Sequence, residues 1–140
     1  MAIQQGLTLS FRQDILQAGQ NLLTDTLYIA LYTGFSDIGA NTTVYTTTNE
    51  VVGTGYAAGG IQLTGATIQT SPDGVVYVNF NSPSWTNATF TARGALIYNV
   101  TRSNKSIAVL DFGSDKTCNN QTFTVPMPVN TATTALIRFY

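Results

Sequence analysis

The chain has 140 residues, 44% of them hydrophobic and only 9% charged, with six Lys or Arg, seven Asp or Glu, no histidine and a formal net charge of −1. Soluble domains ordinarily carry about 25% charged residues. The ionic coat is therefore missing, and with it the basic stripe that nucleic acid or an anionic membrane would demand. One cysteine (Cys118), no imidazole and seven scattered carboxylates leave little for nucleophilic, acid–base or metal chemistry, so no catalytic, cofactor-binding or metal-ligating residue is expected.

Thr, Asn, Gln, Ser and Gly take the place of charge, as in Asn41-Thr42-Thr43 and Thr46-Thr47-Thr48-Asn49. Desolvating a hydroxyl costs far less than desolvating an ion, so such a surface passes readily from water to a protein partner. The length fits one domain, 1–140, with enough apolar content for a core. No apolar run approaches the ~20 residues of a membrane span. Met1-Ala2-Ile3-Gln4-Gln5-Gly6 lacks the basic start and apolar stretch of a signal peptide.

In chain order, Ser10 and Gln13 have the form of a capping box. Phe11, Ile15 and Leu22 recur at helical spacing with Ala18 or Gly19, which predicts a helix over 10–23, stopped at Thr24-Asp25-Thr26. Residues 27–33 are aromatic and apolar on both parities, the pattern of a central strand covered on both faces. Residues 34–60 hold six glycines and many threonines without a core pattern. Two readings stand: a surface loop with a short strand over 49–52, or an arm that orders against a neighbouring subunit, with Tyr56 as its anchor between Gly53-Thr54-Gly55 and Gly59-Gly60.

A hairpin is expected from 61–70 to 75–80 through Ser71-Pro72-Asp73-Gly74, which suits a type I turn. A second runs from 90–99 to 106–112 through Thr101-Arg102-Ser103-Asn104. Strands over 123–125 and 135–139 complete a mainly β fold: a single-domain antiparallel β-sandwich or barrel, β-rich over 27–140, with one short N-terminal helix. Pro126 and Pro128 suit the end of an edge strand, and Cys118 reads as a loop thiol. Arg93, inside an apolar strand, needs a partner, either Asp111 on the expected neighbouring strand or a group on another subunit. Trp85 reads as a cap on the core or an interface anchor.

The blocks Gly53-Thr54-Gly55-Tyr56-Ala57-Ala58-Gly59-Gly60 and Ala92-Arg93-Gly94-Ala95-Leu96-Ile97-Tyr98-Asn99, together with Val109-Leu110-Asp111-Phe112-Gly113, carry a resemblance that runs essentially end to end. The chain resembles the small virion structural proteins of tailed bacteriophages. That resemblance implies a particle component without enzymatic activity or cofactor.

The expectation is a capsid cement or decoration protein. It would be made in the host cytoplasm and carried on the virion, bound to capsid or other virion proteins as a homo-oligomer, with no nucleic-acid or membrane partner. A neck, tail or fibre part is the alternative, and a host-glycan binder using Trp85 a further one. Expected docking residues are Ile3, Leu7 and Leu9 near the N-terminus, Val44, Tyr45 and Tyr56 in the arm, Trp85, and the apolar Phe139 and Tyr140.

Overall fold

A strand that is apolar on both faces must be covered on both, and the tertiary structure is arranged around that need at 27–32. The computed structural model describes residues 2–139. In chain order its elements are β1 (Gly6–Leu7), α1 (Leu9–Leu16), β2 (Leu27–Tyr32), β3 (Ile61–Gln62), β4 (Thr67–Thr70), β5 (Val76–Asn79), β6 (Ser84–Asn99), β7 (Lys105–Thr124) and β8 (Ile137–Phe139). A five-stranded antiparallel sheet has the order β1-β7-β6-β2-β3, and a three-stranded one the order β4-β5-β8. The fold is mainly β and sandwich-like, as expected, and the described residues form no closed barrel.

Side chains alternate across β2. Leu27, Ile29 and Leu31 enter the larger core, shared with Phe11 and Leu22 from the N-terminal region and with Val78 and Ile137 of the smaller sheet. Ala30 and Tyr32 enter a second core on the opposite face, with Ile3, Ile38, Leu96, Tyr98 and Val109. That second face is closed by the N-terminal segment and by the glycine- and threonine-rich arm, 34–60.

The helix is shorter than the periodicity predicted. Thr8, not Ser10, is its N-cap: the Thr8 hydroxyl accepts the Phe11 N–H at 3.2 Å. Ser10 Oγ instead lies 3.1 Å from Ser106 Oγ. At the other end Ala18 has φ +56°, and the Gly19 N–H donates to the Asp14 carbonyl at 2.7 Å, closing the helix before Leu22.

The first hairpin turns at Ser71–Gly74 as expected, with the Gly74 N–H donating to the Ser71 carbonyl at 3.1 Å. Its first arm, however, is divided between sheets. β3 pairs with β2 and β4 pairs with β5, and Gly65 at φ +71° lies between them.

The second hairpin is far longer than 90–99 and 106–112. β7 runs unbroken from Lys105 to Thr124, so the polar stretch that read as a loop is strand. Cys118 is buried there opposite Phe90, correcting its reading as a loop thiol.

The expected Arg93–Asp111 pair does not form. Ala92 lies opposite Lys116 and Gly94 opposite Asp111, so residues 112–115 bulge against Arg93 alone. Asp111 lies opposite Gly94, and its Oδ1 accepts the Gly113 N–H at 2.9 Å. Asp115 comes alongside Arg93 instead, at 3.3 Å, and both side chains are largely solvated.

Candidate interaction surface

The turn joining β6 to β7 is held by a polar network that reaches into the N-terminal region. Asn99, fully buried, donates through Nδ2 to Gln20 Oε1 at 3.0 Å and to Asp25 Oδ2 at 2.8 Å. Arg102 Nε donates to the same Asp25 oxygen at 2.8 Å. Burial by itself would raise the Asp25 carboxyl, but hydrogen bonds from Arg102, the Asn21 N–H and Asn99 outweigh it and hold the group at about 2. Lys105 Nζ lies 3.4 Å from Asp14 Oδ1 on α1. The turn, α1 and the loop after it are thereby tied together.

The arm is fixed from the other side by one buried carboxylate. Glu50, 7% exposed, accepts the Tyr45 hydroxyl at 2.6 Å on Oε2. On Oε1 it accepts the Tyr56 hydroxyl at 2.6 Å and the Gly59 N–H at 2.7 Å. Tyr56 Oη in turn accepts the Leu31 N–H of β2 at 2.9 Å. The Tyr98 hydroxyl donates to the Gly59 carbonyl at 2.7 Å, and its ring stacks on Tyr45 with centroids 4.7 Å apart.

Burial and the nearby Glu50 charge push the Tyr98 hydroxyl up to about 12. Tyr32, Tyr45 and Tyr56 are raised further, again by burial first and by Glu50 second. All four phenols are therefore neutral donors at neutral pH. Glu50 has given its oxygens to three donors of its own chain, and the cluster works as a pin.

Glycines let the pinned arm lie flat on the sheet. A Cβ on Gly53 would stand 2.5 Å from the Thr89 carbonyl oxygen, and one on Gly60 would collide with the Ile29 carbonyl. Between them, Thr54 forms an isolated bridge with Thr89 of β6, and earlier in the arm Val44 forms another with Lys105 of β7. The arm packs against its own chain, so Tyr56 anchors it to its own sheet and not to the neighbouring subunit expected. The expected short strand over 49–52 is a single bridge between Glu50 and Tyr32.

Among the side chains this frame presents to solvent are five large apolar ones. Leu9 and Leu16, seven residues apart on α1, share its outer side, and Leu16 is 88% exposed. Leu23, Val44 and Val100 are exposed on the segments tied to the same turn. The Leu9 N–H donates to the arm's Ala40 carbonyl at 2.9 Å, and the Val100 N–H to the Thr26 carbonyl at 2.9 Å. Solvent-facing apolar side chains gathered around one structural point mark an interaction surface.

Of the residues expected to dock, Leu9 and Val44 stand on this surface. Leu7 is half-buried in β1, and Phe139 is half-buried with its ring 6.5 Å from that of Phe11. Ile3 is buried in the second core, and Trp85, 3% exposed, in the first, where it packs against Tyr56 and Phe123. Trp85 is thus a core residue, the first of its two readings. Tyr45 and Tyr56 are half-buried members of the Glu50 pin. Tyr140 lies outside the described residues.

Leu16, Leu23 and Val100 were missed by the sequence reading. The seven-residue spacing of Leu9 and Leu16, off the face of Phe11 and Ile15, was the available signal for Leu16. Glu50 gave none, because its partners converge only once the arm has folded.

Among the described residues no three His, Cys, Asp or Glu side chains gather to hold a metal, and no helix is long and apolar enough to cross a membrane. Compared with known proteins, the chain matches no protein family, no curated protein and no solved structure.

Proposed function

We propose that this protein is a non-enzymatic structural component of a tailed-bacteriophage particle, a cement or decoration protein that binds the outer face of the assembled head. The observation that carries this reading is the surface around the β6–β7 turn. There Leu9, Leu16, Leu23, Val44 and Val100 are held out on a frame fixed by the Glu50 and Asp25 networks, in a chain with almost no charged coat. A rigid apolar surface loses little conformational entropy on docking. Its neutral hydroxyl and amide surroundings dehydrate at low cost.

The mechanism is mass action. A ligand of the assembled shell that does not bind free shell subunits stabilises the shell by RT ln(1 + [L]/Kd), about 2.7 kcal/mol per site at a hundredfold excess over Kd. Attachment through neutral groups should change little between low and high salt, because there are few charges to screen. A glycan-binding role receives no support from Trp85, whose indole is packed in the core.

The test is co-sedimentation with purified heads, with bound copies counted by mass. Binding at hundreds of copies, lost in Leu16→Asp and Val44→Asp while both variants keep the parent melting curve, is the expected result. A handful of copies per particle would move the protein to the neck, tail or fibre. No binding, or binding indifferent to both substitutions, would overturn the reading.

A further inference from the structure

A second surface runs along the outer edge of β7. β1 pairs with only Ala108 and Val109, Val44 bridges Lys105 before them, and from Leu110 on that edge has no strand neighbour among the described residues. Gln5 Oε1 accepts the Asp111 N–H at 3.0 Å, a side chain filling the place of a neighbouring strand's carbonyl.

After Thr124 the chain returns past this edge and leaves a groove of about 490 Å³, walled by Leu110, Phe112, Phe123, Met127 and Leu136. A smaller hollow of about 230 Å³ continues it past Gly6 and Leu7, sharing Leu110, Pro128 and Leu136 with the first. Asp111 and Lys116 both line the groove. They carry opposite charges, and neither enters an ion pair among the described residues. Immediately after Pro128, Val129 stands 72% exposed.

We infer that this face binds a second copy of the chain across a twofold axis, each copy seating Val129 in the other's groove and setting its Asp111 against the other's Lys116. A twofold contact requires a surface complementary to itself. An apolar projection beside an apolar hollow, and an acid beside a base, satisfy that requirement twice over. On β7 the two charges stand at either end of the bulge at 112–115, Asp111 opposite Gly94 and Lys116 opposite Ala92. A groove shaped for one extended foreign peptide would have no use for a projecting valine at its own edge. The contact is separate from the shell-binding surface and is measured on the purified chain alone, so either reading can fail without the other.

Sedimentation equilibrium and light scattering test it. The parent chain should form a dimer, or a larger assembly of even number, at micromolar concentration. Asp111→Lys and Lys116→Asp each place like charges together twice and should weaken association by about tenfold or more. The double variant Asp111→Lys/Lys116→Asp restores both pairs and should recover the parent affinity. Val129→Asp, on an exposed loop, should dissociate the dimer while keeping the parent circular-dichroism spectrum.

A parent chain that stays monomeric up to about 100 µM leaves the groove to a different partner and overturns the inference. So does a dimer indifferent to the single charge reversals, or a folded double variant that remains as weak as the singles.

Discussion

Replacing Glu50 with alanine tests the arm most directly. The substitution strands three donors: the Tyr45 and Tyr56 hydroxyls, each 2.6 Å from the carboxylate, and the Gly59 N–H at 2.7 Å. A hydrogen bond to a charged acceptor is worth about 1.5–3 kcal/mol, and a buried donor left without a partner costs a similar amount. Tyr45 is half-buried and can turn toward water, so the loss rests chiefly on Tyr56 and Gly59 and comes to about 3–5 kcal/mol. Glutamine is milder. Its carbonyl oxygen can serve Tyr56 and Gly59 as Oε1 does, while its amide nitrogen meets the Tyr45 hydroxyl, which must rotate to accept, for a loss of about 1–2 kcal/mol.

Urea unfolding followed by Trp85 fluorescence should rank the parent above Glu50→Gln and Glu50→Ala last. Hydrogen exchange at the Leu31 and Gly59 amides should accelerate in the same order. If Glu50→Ala falls within about 0.5 kcal/mol of the parent, or those two amides keep their protection, the carboxylate does not pin the arm and the account of its order is wrong.

Three further outcomes follow from the same contacts. The Asp25 carboxyl is lowered from 3.8 to about 2 in the folded chain, so its contribution is present above the unfolded value and lost as pH falls through the folded one. Allowing for the solvated Arg102, Asp25→Asn should cost about 1–2 kcal/mol at neutral pH. Parent and variant denaturation curves should converge between about pH 4 and pH 2, and a gap that persists at pH 2 would refute the assignment.

Gly53→Ala places a Cβ 2.5 Å from the Thr89 carbonyl oxygen and 2.8 Å from Phe90 Cβ, and should cost about 1–3 kcal/mol. Gly74→Ala meets open space at φ +86° and should cost only about 1–2 kcal/mol of backbone strain. Thermal melts followed by circular dichroism should therefore place Gly74→Ala at or above Gly53→Ala, and the reverse order would count against the close approach of arm to sheet. Trp85→Ala should lose about 3–5 kcal/mol in the same assay. Full stability with lost binding to heads would instead make Trp85 a surface anchor.

The parts of the fold legible in the sequence are those governed by local pattern. Apolar residues on both parities at 27–32 announced a strand covered twice over. Ser71-Pro72-Asp73-Gly74 and Thr101-Arg102-Ser103-Asn104 announced their turns through the backbone preferences of those residue types. The polar stretch 113–122 did not announce itself as strand, because its pairing comes from β6 opposite it and its own residues carry no apolar alternation.

The candidate surface divides in the same way. Leu9 and Val44 could be picked out as apolar residues in polar surroundings. Whether Ile3, Tyr56 and Trp85 faced water or the core depended on which segments lay over them, and no local pattern encodes that.

By itself, then, the sequence determined the mainly β class, the positions of the turns and the charge-poor character of the surface, since each follows from composition or from neighbours a few residues apart. Tertiary structure alone decided that Glu50 gathers Tyr45, Tyr56 and Gly59, and that Arg93 meets Asp115 in place of Asp111. It also decided that the arm closes the second face of its own sheet. Those outcomes depend on register and on contacts between distant segments, where shifting one residue along a strand sends every side chain to the opposite face.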